Sequence, residues 1–87
     1  MSYFLYIIES LSSGDLYKGV SHDPYARLES HNSGLSKFTS LSMPWKLVFI
    51  REFESKTEAL KEERRIKKCN RKYLAWFIAQ PFNILNR

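Results

Sequence analysis

One cysteine, three glycines and three prolines are all that the 87 residues contain of these types. Cys69 therefore has no partner for an internal disulfide, and a reducing compartment is the simpler setting. No internal repeat or low-complexity tract appears. Long apolar runs are missing too. The run from Tyr3 to Ile8 is too short for a signal-peptide core, and no basic residue precedes it. No stretch is long enough to span a bilayer. These absences exclude a disulfide scaffold and a helical membrane protein, and they predict a cytoplasmic location.

Aromatic and basic residues are plentiful. A chain this short buries roughly 60–65% of its unfolded surface, so one compact core and one domain over residues 1–87 are expected. Six Phe, five Tyr and two Trp suit such a core. Fourteen Lys and Arg against nine Asp and Glu leave a net charge of +5. That excess favours polyanionic partners, nucleic acid first. Lys61, Arg64, Arg65, Lys67, Lys68, Arg71 and Lys72 crowd into the segment KEERRIKKCNRK. They read either as a solvated helix face or as a footprint for phosphates, with Lys18 an additional contact and Lys37, Lys46 and Arg51 a weak, sequence-independent grip.

The apolar run YFLYIIE reads as a buried strand and LYKGV as a second, joined through the turn residues SLSSGD into an antiparallel hairpin. Asp23 can cap a helix and Pro24 suits its first turn; Asn32 and Gly34 end it. On that helix Arg27 and His31 stand one turn apart, both able to meet an anion. SGLSKFTSLSMP is a polar connection. WKLVFIREF is a third strand, whose alternation puts Trp45, Leu47, Phe49 and Phe53 on one face. Ser55 with Glu58 three residues later opens the helix SKTEALKEERRIKK, Asn70 breaks it, and RKYLAWFIAQ is a further helix. The order β-β-α-β-α-α gives an α+β domain, a small three-stranded antiparallel sheet flanked by helices.

On a helical wheel Ala59, Leu60, Glu63, Ile66 and Lys67 share a face. Glu58, Glu62 and Arg65 fall elsewhere, as ordinary solvent charges. A carboxylate beside an apolar stripe needs a partner. For Glu63 that partner is an arginine or a divalent metal; Mg²⁺ takes only one or two protein carboxylates and keeps water or phosphate for the rest. Tyr6 and Tyr17 lie on neighbouring strands, so their hydroxyls can converge, either as satisfied core groups or as reactive ones. Gly19 permits close approach of a ligand or a neighbouring helix.

With Tyr6, Tyr17, Gly19, Arg27, His31 and Glu63 in that order, the chain resembles the GIY-YIG nuclease superfamily, most of all its small stand-alone bacterial members. The resemblance runs from about Tyr3 to Ile78, with residues 79–87 as a tail. It rests on FLY (Phe4–Tyr6), YKG (Tyr17–Gly19), SHDPYARLESHNSG and EALKEERRIKK. Phe4 stands where the family name has glycine, and Ala75 where some relatives carry asparagine.

The resemblance implies a divalent-metal-dependent endonuclease that hydrolyses DNA. Glu63 would hold one Mg²⁺ or Mn²⁺ ion. Arg27 would bind the scissile phosphate, His31 would orient a tyrosine hydroxyl or take up its proton, and Tyr6 or Tyr17 would activate water. Plain, nicked and branched DNA are candidate substrates, cut with weak specificity or by structure. The alternative is a non-catalytic nucleic-acid-binding module that retains the fold. The tail LAWFIAQPFNIL covers the core or offers a surface to a second copy or a protein partner.

Overall fold

Four consecutive residues of the first strand, Leu5 to Ile8, are buried because both faces of that strand are covered. β1 (Tyr3–Ser10) is the centre of a three-stranded antiparallel sheet in the order β2-β1-β3, with β2 (Leu16–Ser21) on one side and β3 (Trp45–Phe53) on the other. The structure, a computed structural model, describes residues 2–35 and 37–86. Ser36 of the predicted connection and the terminal Met1 and Arg87 lie outside them. Ser10 fixes the hairpin turn. Its Oγ accepts from the N–H of Ser13 (2.9 Å) and donates to the Ser42 carbonyl (2.6 Å).

Two apolar layers result. On one face Leu5, Ile7 and Phe49 pack with Ile66, Leu74 and Phe77 of the C-terminal helices. These are α3 (Lys56–Lys67), capped by Ser55, and α4 (Arg71–Ile78), capped by Asn70. Asn70 is thus less a breaker of α3 than the start of α4: its Oδ1 accepts from the Tyr73 N–H at 2.8 Å. On the other face Tyr6, Ile8 and Trp45 pack with Tyr17, Leu28, Met43 and Leu47 under α1 (Pro24–Asn32). Asp23 caps α1 as predicted, accepting from Ala26.

The third strand departs from simple alternation. Ile7 pairs with Phe49 but Ile8 with Leu47, so Val48 is an extra residue, a β-bulge. It reverses the phase. Trp45 and Leu47 face α1, whereas Phe49 and Phe53 face α3 and α4. The expectation of one shared face for all four is therefore corrected.

The predicted polar connection is also more ordered than expected. It holds a short helix, α2 (Lys37–Ser40), whose Thr39 is buried. The C-terminal tail is mostly core cover: Phe77 is buried, Ile78 and Phe82 pack against it, and Trp76 and Leu85 keep substantial exposure. Among the described residues no helix is long and apolar enough to cross a membrane.

Candidate active site

Tyr6 sits opposite Gly19 in the pairing of β1 with β2. Glycine is needed there, because a Cβ on residue 19 would fall 2.5 Å from Tyr6 Oη and 2.6 Å from Cζ. The phenol therefore lies across the bare backbone of β2, an edge strand. That is the physical content of the YKG motif.

Beneath it is a buried polar chain. Tyr6 Oη is 3.1 Å from His31 Nε2, and His31 Nδ1 is 2.9 Å from Thr39 Oγ1. Trp45 Nε1–H donates to the Thr39 carbonyl at 2.9 Å, which fixes α2 against the sheet. Burial holds the His31 imidazole below its ordinary pKa, and the Arg27 charge adds to the effect, so the ring is neutral at pH 7. Burial pushes the Tyr6 phenol above its ordinary value, an effect the neighbouring Arg27 guanidinium opposes. Arg27 itself is exposed, whereas His31 is sealed. The expectation that both meet an anion is thus corrected: of the two, Arg27 is open to one, while His31 addresses Tyr6. The half-buried Tyr17 ring meets the His31 ring in a T-shaped arrangement, with centroids 4.8 Å apart.

Glu63 approaches from α3. Its side chain keeps 14% exposure, and Lys67 Nζ stands 3.5 Å from its Oε1. The Glu63 carboxylate, like the Arg27 guanidinium, lies near enough for its charge to act on the Tyr6 hydroxyl. Tyr6, Tyr17 and His31 are thus in mutual contact from β1, β2 and α1, and Arg27 on α1 and Glu63 on α3 bring opposite charges into their neighbourhood. Glu62 points another way. It pairs with Arg65 and, at 3.7 Å, with Arg51. Arg65 also donates to Tyr73 Oη, and Arg51 lies over the rings of Phe53 and Phe82. Glu62 and Arg65 are thus not the ordinary solvent charges expected, and Arg51 is committed to this cluster rather than to a loose surface grip.

The basic residues divide. Lys18 and Lys67 line one open hollow with Leu16, Tyr17 and Phe38. Lys61, Arg64, Lys68 and Lys72 are exposed. Arg71 is engaged elsewhere: its guanidinium donates to the Gly14 carbonyl at 2.6 Å and faces Glu9 at 3.8 Å, tying α4 to the hairpin turn. Thr39 has no signal in the sequence, since one threonine in a polar run has no periodicity to mark it.

Among the described residues no three His, Cys, Asp or Glu side chains cluster as metal ligands. The donor set is one carboxylate with phenols nearby. It fits a hard cation that takes few protein oxygens, such as Mg²⁺, and not a thiolate- or imidazole-bound metal.

Residues 2–75 match the model of the GIY-YIG catalytic domain. UPF0213 proteins of Staphylococcus aureus, strains Mu3 and N315 among them, are 44% identical over 71 residues, 80% of this chain and 85% of theirs. The solution NMR structure of a UPF0213 protein from Bacillus halodurans aligns with a TM-score of 0.62 and 29% identity, covering 99% of this chain and 92% of that one.

Proposed function

The chain belongs to the GIY-YIG catalytic domain family, and from that premise we propose that it is an endonuclease hydrolysing phosphodiester bonds of DNA. Domains of this family are nuclease domains that generally work with divalent metal ions. The observation that carries the reading is the surroundings of the Tyr6 hydroxyl. It meets a neutral, buried imidazole and lies within the field of Arg27 and Glu63.

Glu63 would hold one Mg²⁺ or Mn²⁺ ion, which when bound polarises a phosphoryl oxygen and stabilises the leaving oxygen. Arg27, exposed and forked, takes the scissile phosphate and the charge that builds on it. A water beside Tyr6 loses its proton to Oη as the phenol passes its own to His31 Nε2. In that tautomer His31 Nδ1–H donates to Thr39 Oγ1. The shuttle makes the imidazole, and not the neutral phenol, the final acceptor of the proton. Tyr17 positions the water. Lys18, Lys61, Arg64, Lys67, Lys68 and Lys72 grip the backbone, so affinity is sensitive to salt and weakly specific.

Nicking of supercoiled plasmid with Mg²⁺ or Mn²⁺ tests this. Glu63→Gln and Arg27→Ala are each expected to lower the rate about 100-fold or more. Cleavage that survives both changes would refute the assignment. The Lys67 ammonium beside Glu63 favours a second reading, a module that binds nucleic acid without turnover. It predicts salt-sensitive binding, no metal-dependent cleavage, and wild-type affinity in Glu63→Gln.

A further inference from the structure

Phe38 leaves 83% of its surface in water, and Leu35 and Leu41 beside it are exposed to 79% and 93%. Single exposed apolar residues need no explanation, but three around one short helix at the rim of the site do. The backbone that carries Phe38 is anchored by the next residue, Thr39, which is buried and bonded to both His31 and Trp45. The Phe38 ring stands 6.0 Å from the Tyr17 ring, centroid to centroid. Between them opens a hollow of about 220 Å³, with Leu16, Lys18 and Lys67 as its other walls. Aromatic faces with ammonium groups around them are what a nucleotide requires: a π surface for the base and cations for its phosphates.

We propose that Phe38 and Tyr17, with Lys18 and Lys67, form a subsite for one unstacked nucleotide next to the scissile phosphate. The inference rests on the endonuclease reading and names its substrate class: DNA with an unpaired base, such as a gap, flap or junction. Continuous duplex cannot use the subsite, since its bases are paired and stacked and offer Phe38 no face. A second copy of the chain is the less suitable occupant. A two-fold contact centred on Phe38 would bring Lys18 and Lys67 of both copies together around the hollow, and like charges repel.

Fluorescence anisotropy with labelled oligonucleotides in EDTA, where no cleavage occurs, decides the matter. Two probes are compared, a continuous duplex and the same duplex carrying a three-nucleotide gap. Phe38→Ala is expected to weaken binding of the gapped probe about 5- to 100-fold and to leave the duplex unchanged, while Phe38→Trp retains wild-type affinity. With 2-aminopurine in the gap, wild-type protein should quench its fluorescence and Phe38→Ala should not. Equal affinities of wild type and Phe38→Ala for the gapped probe would overturn the subsite. So would a dimer that Phe38→Ala dissociates without changing gapped-probe affinity. Phe38-dependent binding without any metal-dependent nicking would remove the endonuclease reading and leave the subsite standing. Phe38 is too exposed for its truncation to threaten the fold, and circular dichroism verifies this.

Discussion

A single hydrogen atom in place of a side chain at residue 19 lets the Tyr6 phenol cross β2. Gly19→Ala is the sharpest test of that contact. The ring is buried and bonded to His31, so it cannot swing aside cheaply. The variant should fold, with a stability loss of about 1–3 kcal/mol from overpacking. Its nicking rate should fall at least tenfold more than its DNA affinity does. Urea denaturation, nicking and anisotropy on one preparation separate these effects, and unchanged nicking would mean that Tyr6 has no part in the chemistry. At this scale much was legible in the sequence. Tyr6, Tyr17, Arg27, His31 and Glu63 all stand in local motifs whose spacing survives folding. Glu63 could be told from Glu62 because helical geometry sends adjacent residues about 100° apart. Thr39 could not be found, because its value comes only from the imidazole that folding brings to it.

At the scale of elements, helix starts were readable where a capping side chain announces them, as at Asp23 and Ser55. The end of β3's pairing was not. As an edge strand, β3 exposes backbone groups on its outer side, and the tail returns to cover them. Asn83, fully buried, accepts from the Ile50 N–H at 3.0 Å and donates to the carbonyls of Val48 at 2.9 Å and Ile78 at 2.8 Å. An asparagine in a tail looks like a turn residue in the sequence, and only the three-dimensional return of the chain makes it a substitute strand. Asn83→Ala takes the side-chain partner from four backbone groups, the N–H of Ile50 and Leu85 and the carbonyls of Val48 and Ile78, of which Ile78 keeps Asn86 Nδ2. It should destabilise the protein by about 2–4 kcal/mol, seen as a lower urea midpoint with unchanged slope. A midpoint equal to wild type would show that water or another group closes this edge equally well.

For the whole molecule, the neutral His31 couples folding to pH. In the unfolded chain the imidazole titrates near its ordinary value of about 6.5, whereas burial and Arg27 hold it lower in the fold. Between those two values the unfolded state binds more protons, so stability falls as pH drops through that window and is fully present above about pH 6.5. Thermal melts from pH 8 to 5 should show this decline, and His31→Gln should lessen it. A decline of the same size in the variant would assign it to carboxylates instead. The net charge of +5 acts over the same dimension, favouring encounter with DNA at low salt.

Val48 has a wider consequence. One supernumerary residue lets a continuous ribbon serve two masters, its upstream portion answering to the reactive side of the molecule and its downstream portion to the structural side. Changes confined to Trp45–Leu47 can therefore retune the chemistry while Phe49 and Phe53 go on supporting the helices. Loss of Val48 alone would leave Leu47 and Phe49 adjacent and still on opposite faces, whereas loss of a residue on either side of it would turn one portion toward the wrong layer.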